Sequence, residues 1–88
     1  MAKVEIYTTM LCGFCDAAKN LLSKKGVDFT EYDVMFKPGL RGEMTERAGG
    51  ATSVPQIFID DVAVGGFNEL MELEQDDVLN AMLEGSPS

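Results

Sequence analysis

Hydrophobic and polar positions along the chain change period several times, and each change marks an element. Over residues 3–9, KVEIYTT, Val4 and Ile6 alternate with Glu5 and Tyr7, the period of two expected of a strand. From Phe14 to Lys25 the period becomes helical, with Phe14, Ala17, Ala18, Leu21 and Leu22 on one stripe. Asp16 suits the first turn of that helix, Lys24 and Lys25 the last, and Gly26 the cap beyond its end. Residues 27–34, VDFTEYDV, return to a strand pattern through Val27, Phe29 and, less cleanly, Tyr32. Pro38 can open a second helix over 38–48, in which Leu40, Met44 and Ala48 recur every fourth residue and Gly49-Gly50 stops the run. QIFID (56–60) and VAVGG (62–66) read as a hairpin about an Asp-Asp turn. FNELMEL is helical again, and with Asp76 capping a further turn through Val78, Leu79, Met82 and Leu83 the helical pattern extends over 67–84.

The order β-α-β-α-β-β-α predicts one α/β domain over residues 1–88. Its first strand–helix–strand unit needs a right-handed crossover between parallel strands, and the hairpin adds an antiparallel pair to the same sheet. The expected architecture is a four-stranded mixed sheet flanked by helices, because strands this apolar must be covered.

Charge narrows the range of functions. Residues 1–47 balance seven basic side chains against seven acidic ones, whereas residues 48–88 hold eight acids and no Lys or Arg, the whole of the formal −8. Nucleic-acid binding needs a basic stripe to displace counterions from phosphates, and the sequence has none. No apolar run approaches the ~18 residues of a membrane span. MAKVEIYTT lacks the apolar core and cleavage site of a signal peptide, so a cytoplasmic protein without membrane association is expected.

Both cysteines of the chain, Cys12 and Cys15, fall where the first strand gives way to the first helix. A structural disulfide gains from closing a long loop in the unfolded chain, and this pair closes almost nothing. Structural zinc takes four ligands, usually Cys and His, and the chain has two cysteines and no histidine. Redox chemistry fits better. Side chains three apart on a helix lie about 5–6 Å apart at Cβ, close to disulfide distances. Thiols at helix N-termini have pKa values lowered to roughly 3.5–7.5, because free N–H groups and the positive end of the dipole favour the thiolate. Cys12, just ahead of the helix, is the expected nucleophile, and Cys15, one turn in and more buried, the resolving thiol.

VEIYTTMLCGFCDAAKNLLSKKGVDF, SVPQIFID about forty residues later, and VGGFNEL about ten beyond that together resemble the glutaredoxin family, a branch of the thioredoxin fold. The absence of Trp sets the chain apart from thioredoxin itself. The resemblance implies a glutathione-dependent thiol–disulfide oxidoreductase acting on disulfide-containing or glutathionylated proteins, monomeric, with Pro55 a cis-proline facing the cysteines. Glutathione would be bonded through its sulfur to Cys12 and paired through its backbone with Val54. Gly65 and Gly66 would let the chain approach its γ-glutamyl end, where Asn68 and Glu69 would meet its amino and carboxylate groups.

Three departures from the family pattern change the expectation. Gly13-Phe14 stands between the cysteines in place of Pro-Tyr; this filling is seen in the family's single-cysteine branch, which carries iron–sulfur clusters. The alternative implied is a homodimer bridged by a [2Fe–2S] cluster, held by Cys12 of each chain and two glutathione thiolates. Thr9 replaces a lysine that would pair with a glutathione carboxylate, leaving that task to Arg41 or Lys37. Asn68 cannot neutralise the ligand's ammonium, which leaves Glu69 as the better candidate, or a backbone contact alone. Met10, Leu11 and Phe14 beside the thiols read either as an apolar rim for docking protein disulfides or as core under the first helix.

Overall fold

The structure, a computed structural model, describes residues 2–84. Strands β1 (Val4–Thr8), β2 (Thr30–Asp33), β3 (Gln56–Ile59) and β4 (Val62–Gly65) form one sheet in the order β2-β1-β3-β4. β1 pairs parallel with β2, in a register that sets Tyr7 beside Tyr32, and antiparallel with β3, which sets Ile6 beside Ile57. Around the sheet lie α1 (Gly13–Lys24), α2 (Pro38–Arg47), α3 (Phe67–Gln75) and α4 (Leu79–Leu83). This is the expected thioredoxin-like sheet, with β1 and β3 central. Among the described residues no helix is long and apolar enough to cross a membrane.

Alternation along the central strands divides the core in two. Val4, Ile6, Ile57 and Ile59 point to one face and pack with Ala18 and Leu22 of α1, Leu70 of α3, and Leu79 and Leu83 of α4. Tyr7 and Phe58 point to the other, where Val34 and Met44 join them under α2. Leu40 and Ala48, the outer members of the every-fourth pattern, flank Met44 half-buried.

β1 alternates in chemistry but not in exposure, since all five of its residues are buried. Glu5 is therefore a carboxylate under α2, and Arg47 answers it with two hydrogen bonds, Nη2 to Oε1 at 2.9 Å and Nη1 to Oε2 at 3.3 Å. Tyr32 donates its hydroxyl to Glu5 Oε2 at 3.0 Å, and the Arg47 guanidinium lies 4.1 Å from the centre of the Phe58 ring. The Arg47 hydrogen bonds hold the Glu5 carboxyl below the usual carboxylate range, outweighing the upward push of burial.

Two boundaries differ from the sequence reading by more than one residue. β2 begins at Thr30 rather than 27, because only residues 30–33 have partners opposite Glu5–Thr8. Val27 and Phe29 still pack against the core, from chain outside the ladder. The helix expected over 67–84 is two helices. At the end of α3, Asp77 N–H donates to Glu74 O (3.2 Å) and Val78 N–H to Leu73 O (2.9 Å), with Asp77 at φ +58°. That is a Schellman turn with aspartate where glycine is usual. Asp76 and Asp77 thus end one helix instead of extending it. The expected hairpin forms, with Asp60 and Asp61 at φ +51° and +66°, the doubly left-handed turn whose twist suits a two-residue loop.

Candidate active site

β1 ends at Thr8 and α1 begins at Gly13, so the short connection delivers Cys12 to the helix as its N-cap. The Cys12 Sγ accepts a hydrogen bond from the Cys15 backbone N–H at 3.1 Å, occupying one of the donors that a helix start leaves free. The two cysteines form a disulfide, with their Cα atoms 5.2 Å apart. Cys15 is fully buried against the core side of α1, whereas Cys12 is partly exposed. An incoming sulfur can therefore reach Cys12 but not Cys15, the asymmetry expected of an attacking and a resolving thiol.

Beside this pair lies a cleft of about 490 Å³. Val54, Pro55, Gly66, Asn68 and Glu69, drawn from two separate stretches of chain, all line it. Phe14, between the cysteines, lines it too and brings the disulfide to its edge. The Val54–Pro55 peptide is cis. The floor is set by β3 and β4, which place Gln56 and Gly65 at the same end of the sheet; Gln56 donates its amide to the Ser53 carbonyl at 3.0 Å and braces the turn into Val54.

Arg41 stands apart from the cleft lining. Its Nη1 donates to the Thr52 carbonyl at 2.8 Å, so α2 holds the segment leading into Val54-Pro55. Lys37 is the exposed N-cap of α2 and makes no side-chain capping bond. Glu69 is turned back on its own helix: Oε1 accepts from Gly66 N–H at 2.7 Å. Met10 and Leu11 are exposed at the rim, and Phe14 is 62% exposed, so these three are rim rather than core under α1.

One wall was not foreseen from sequence. Phe67 stacks on Phe14 with ring centres 6.0 Å apart and planes 29° from parallel, joining the starts of α1 and α3 across the cleft. Phe14 and Phe67 are 53 positions apart in the chain, and each alone reads as an ordinary apolar helix residue. A [2Fe–2S] cluster between two copies would draw one ligand, Cys12, from this chain. Among the described residues no group of three or more Cys, His, Asp or Glu side chains is gathered to hold a metal ion.

Comparison with known proteins agrees with this geometry. The family model for glutaredoxin matches residues 4–64. The chain is 48% identical over 83 residues to a glutaredoxin of Pseudomonas aeruginosa, covering 94% of this chain and 98% of that protein. It is 45% identical over 84 residues to glutaredoxin 3 of Escherichia coli, covering 96% and 100%. Among solved structures, the glutaredoxin of Brucella melitensis superposes with a TM-score of 0.84 at 44% identity, covering 100% of this chain and 96% of that one. A buckwheat glutaredoxin–glutathione complex shares the fold, with a TM-score of 0.86 at 22% identity, covering 94% and 77%.

Proposed function

The chain belongs to the glutaredoxin family and is a thiol–disulfide oxidoreductase, and from that premise we propose that glutathione is its co-substrate, bound in the cleft beside Phe14. The observation that carries the reading is the single cleft that gathers Val54, Pro55, Gly66, Asn68 and Glu69 next to a partly exposed Cys12. The buckwheat protein of the same fold is a complex with glutathione, which supports a ligand of that class.

In the reduced protein the Cys12 thiolate, favoured by the Cys15 N–H and the start of α1, attacks the glutathione sulfur of a protein–glutathione mixed disulfide. The protein thiolate leaves and takes a proton, and a Cys12–glutathione disulfide remains. A second glutathione thiolate then attacks the glutathione sulfur of that intermediate, releasing Cys12 thiolate and glutathione disulfide. Alternatively Cys15, as its thiolate, attacks Cys12 Sγ and expels glutathione thiolate, giving the Cys12–Cys15 disulfide present in this structure. Val54 offers its backbone N–H and C=O to the peptide-like ligand, and Arg41, whose Nη1 holds the Thr52 carbonyl, and Lys37 at the start of α2 are the cations to meet its carboxylates.

The test compares one peptide as its glutathione mixed disulfide and as its 2-mercaptoethanol mixed disulfide. The wild type should reduce the first with at least tenfold higher kcat/KM. Cys12→Ser should abolish the reaction, and Cys15→Ser should retain a sizeable part of it. Equal rates on the two disulfides would refute glutathione recognition; complete loss in both cysteine variants would refute the division of roles.

A further inference from the structure

We infer that Leu11 and Phe36 form a docking rim for protein substrates, one that takes an extended segment with an apolar side chain two residues from its disulfide cysteine. This rests on the thiol–disulfide exchange at Cys12 set out above and names the class of substrate the exchange acts on. β1 and β2 run parallel, and their paired ends are Thr8 and Asp33. The Val34 N–H donates to the Thr8 carbonyl at 2.9 Å, so the chain leaves both strands at one end of the sheet. Three residues beyond Thr8 and three beyond Asp33 stand large apolar residues in left-handed backbone, Leu11 at φ +56° and Phe36 at φ +60°. That conformation suits glycine, asparagine and aspartate and opposes side chains of this size. Leu11 is 101% exposed and Phe36 93%, so burial within the chain does not offset the strain.

Strain and apolar exposure both work against the folded state, and here they coincide beside the reacting sulfur. Leu11 directly precedes Cys12, and Met10 adds a further exposed apolar side chain from the same loop. The sheet order β2-β1-β3-β4 puts the loop that carries Phe36 on the β2 side of the Cys12 loop, whereas β3 and β4 floor the cleft on the other side. Val62, also exposed, lies at the far end of the sheet, where its partner Ile59 pairs with Val4. Continuity with the reaction decides what covers the rim. A substrate sulfur that meets Cys12 brings the polypeptide on either side of its own cysteine. In an extended segment, side chains two residues from that cysteine point the same way as its sulfur, and those one residue away point to the opposite face. The former reach the surface that carries Leu11 and Phe36, and an apolar side chain there takes both out of water.

The experiment uses three peptides of one length as their glutathione mixed disulfides. One carries Leu two residues from the cysteine on each side, one carries Leu one residue away on each side, and one carries Ser at all these places. The wild type should turn over the first with about fivefold higher kcat/KM than the other two, a part of what full burial of a leucine is worth. Phe36→Asn, which puts a residue tolerant of left-handed backbone at that turn, should cut the preference to below about twofold. It should leave the rate on the glutathione mixed disulfide of free cysteine unchanged, and Phe36→Leu should keep most of the preference. The denaturant midpoint of Phe36→Asn should equal or exceed that of the wild type, since no contact is lost; a fall would make Phe36 a residue of the fold and overturn the proposal. A wild type that treats the three peptides alike overturns it too. So does a Phe36→Asn variant that keeps the full preference, or that loses activity equally on the peptides and on the disulfide of free cysteine. A wild type that dimerises as its concentration rises, with a Phe36→Asn variant that does not, would give the rim to a second copy of the chain and also overturn it. Failure of the glutathione reading shows separately, as equal rates on the glutathione and mercaptoethanol disulfides of one peptide, and it leaves the preference among the three peptides standing.

Discussion

Replacing Arg47 by Met should cost more than any other single change outside the apolar core, and the cost should depend on pH. The methionine keeps much of the apolar stem over Phe58 but removes both hydrogen bonds to Glu5 and the 2.8 Å bond from Nη1 to the Tyr7 hydroxyl. Removing one partner of a buried ion pair costs about 3–5 kcal/mol. Here the Glu5 side chain is 6% exposed but Arg47 is 23% exposed. Water can enter part of the gap, and Tyr32 still donates to Glu5, so we expect about 2–3 kcal/mol. For a domain of this size that is a fall in Tm of about 10–20 °C. The sign of the pH dependence follows from Glu5. Its pKa is lowered in the folded wild type, chiefly by the Arg47 hydrogen bonds. The stability it contributes is present above the ordinary carboxylate value and is lost as pH falls through the depressed one. In the variant the lowering by Arg47 is gone while burial still pushes the group up, so acid protonates Glu5 more readily than in the wild type and relieves the penalty. The gap between wild type and Arg47→Met should be widest at neutral pH and shrink toward pH 3.5. Urea unfolding at both pH values measures it. A gap below about 1 kcal/mol at pH 7, or one that does not change with pH, would refute the account of Glu5.

Three further outcomes are expected. Arg41→Ala should raise KM for a glutathionylated peptide about three- to tenfold with little change in kcat; because Arg41 also holds the Thr52 carbonyl, part of the effect should survive high salt, and an unchanged KM would move the role to Lys37. Phe67→Ala should remove the stack on Phe14, losing about 0.5–1.5 kcal/mol beyond the lost apolar area, and should raise KM while leaving the mercaptoethanol disulfide reaction unaffected; equal effects on both substrates would show that the stack supports the fold alone. Asp77→Gly should raise stability by about 0.5–1 kcal/mol, because glycine adopts the left-handed conformation found at φ +58° without a Cβ penalty; a loss in denaturant midpoint would contradict this.

Much of the site was legible because its parts are local. The place of Cys12 just ahead of the helix follows from a strand period over 3–9 and a helical period from Phe14, and the structure, with the strand ending at Thr8 and the helix starting at Gly13, makes it the N-cap. Cys15 is buried because it falls on the same stripe of α1 as Ala18 and Leu22. What Arg41, Glu69 and Phe67 do was not legible in this way. Each is a side chain whose partner is decided by where its helix is docked or how its terminus is capped. Arg41 reaches a carbonyl eleven residues away, Glu69 folds back on Gly66, and Phe67 meets Phe14 only because α1 and α3 lie side by side on one face.

The helix ends show the same division. Three helices close with Schellman turns: Val27 N–H bonds to Leu22 O after α1, Gly50 N–H to Thr45 O after α2, and Val78 N–H to Leu73 O after α3. The first two place glycine in the left-handed position, Gly26 and Gly49, both at φ +72°. Those ends were evident from sequence, because glycine adopts that conformation at no steric cost and so announces it. The third places Asp77 there. Aspartate tolerates the conformation without requiring it, and it caps helix starts equally well, so the sequence alone left the helix running on. Tertiary packing decides the matter. Leu70 and Leu79 must both be buried on the sheet face that α1 shares, and a chain that turns at Asp77 brings both to it. Local steric rules thus determined where the chain could turn, and the demand for burial selected where it did.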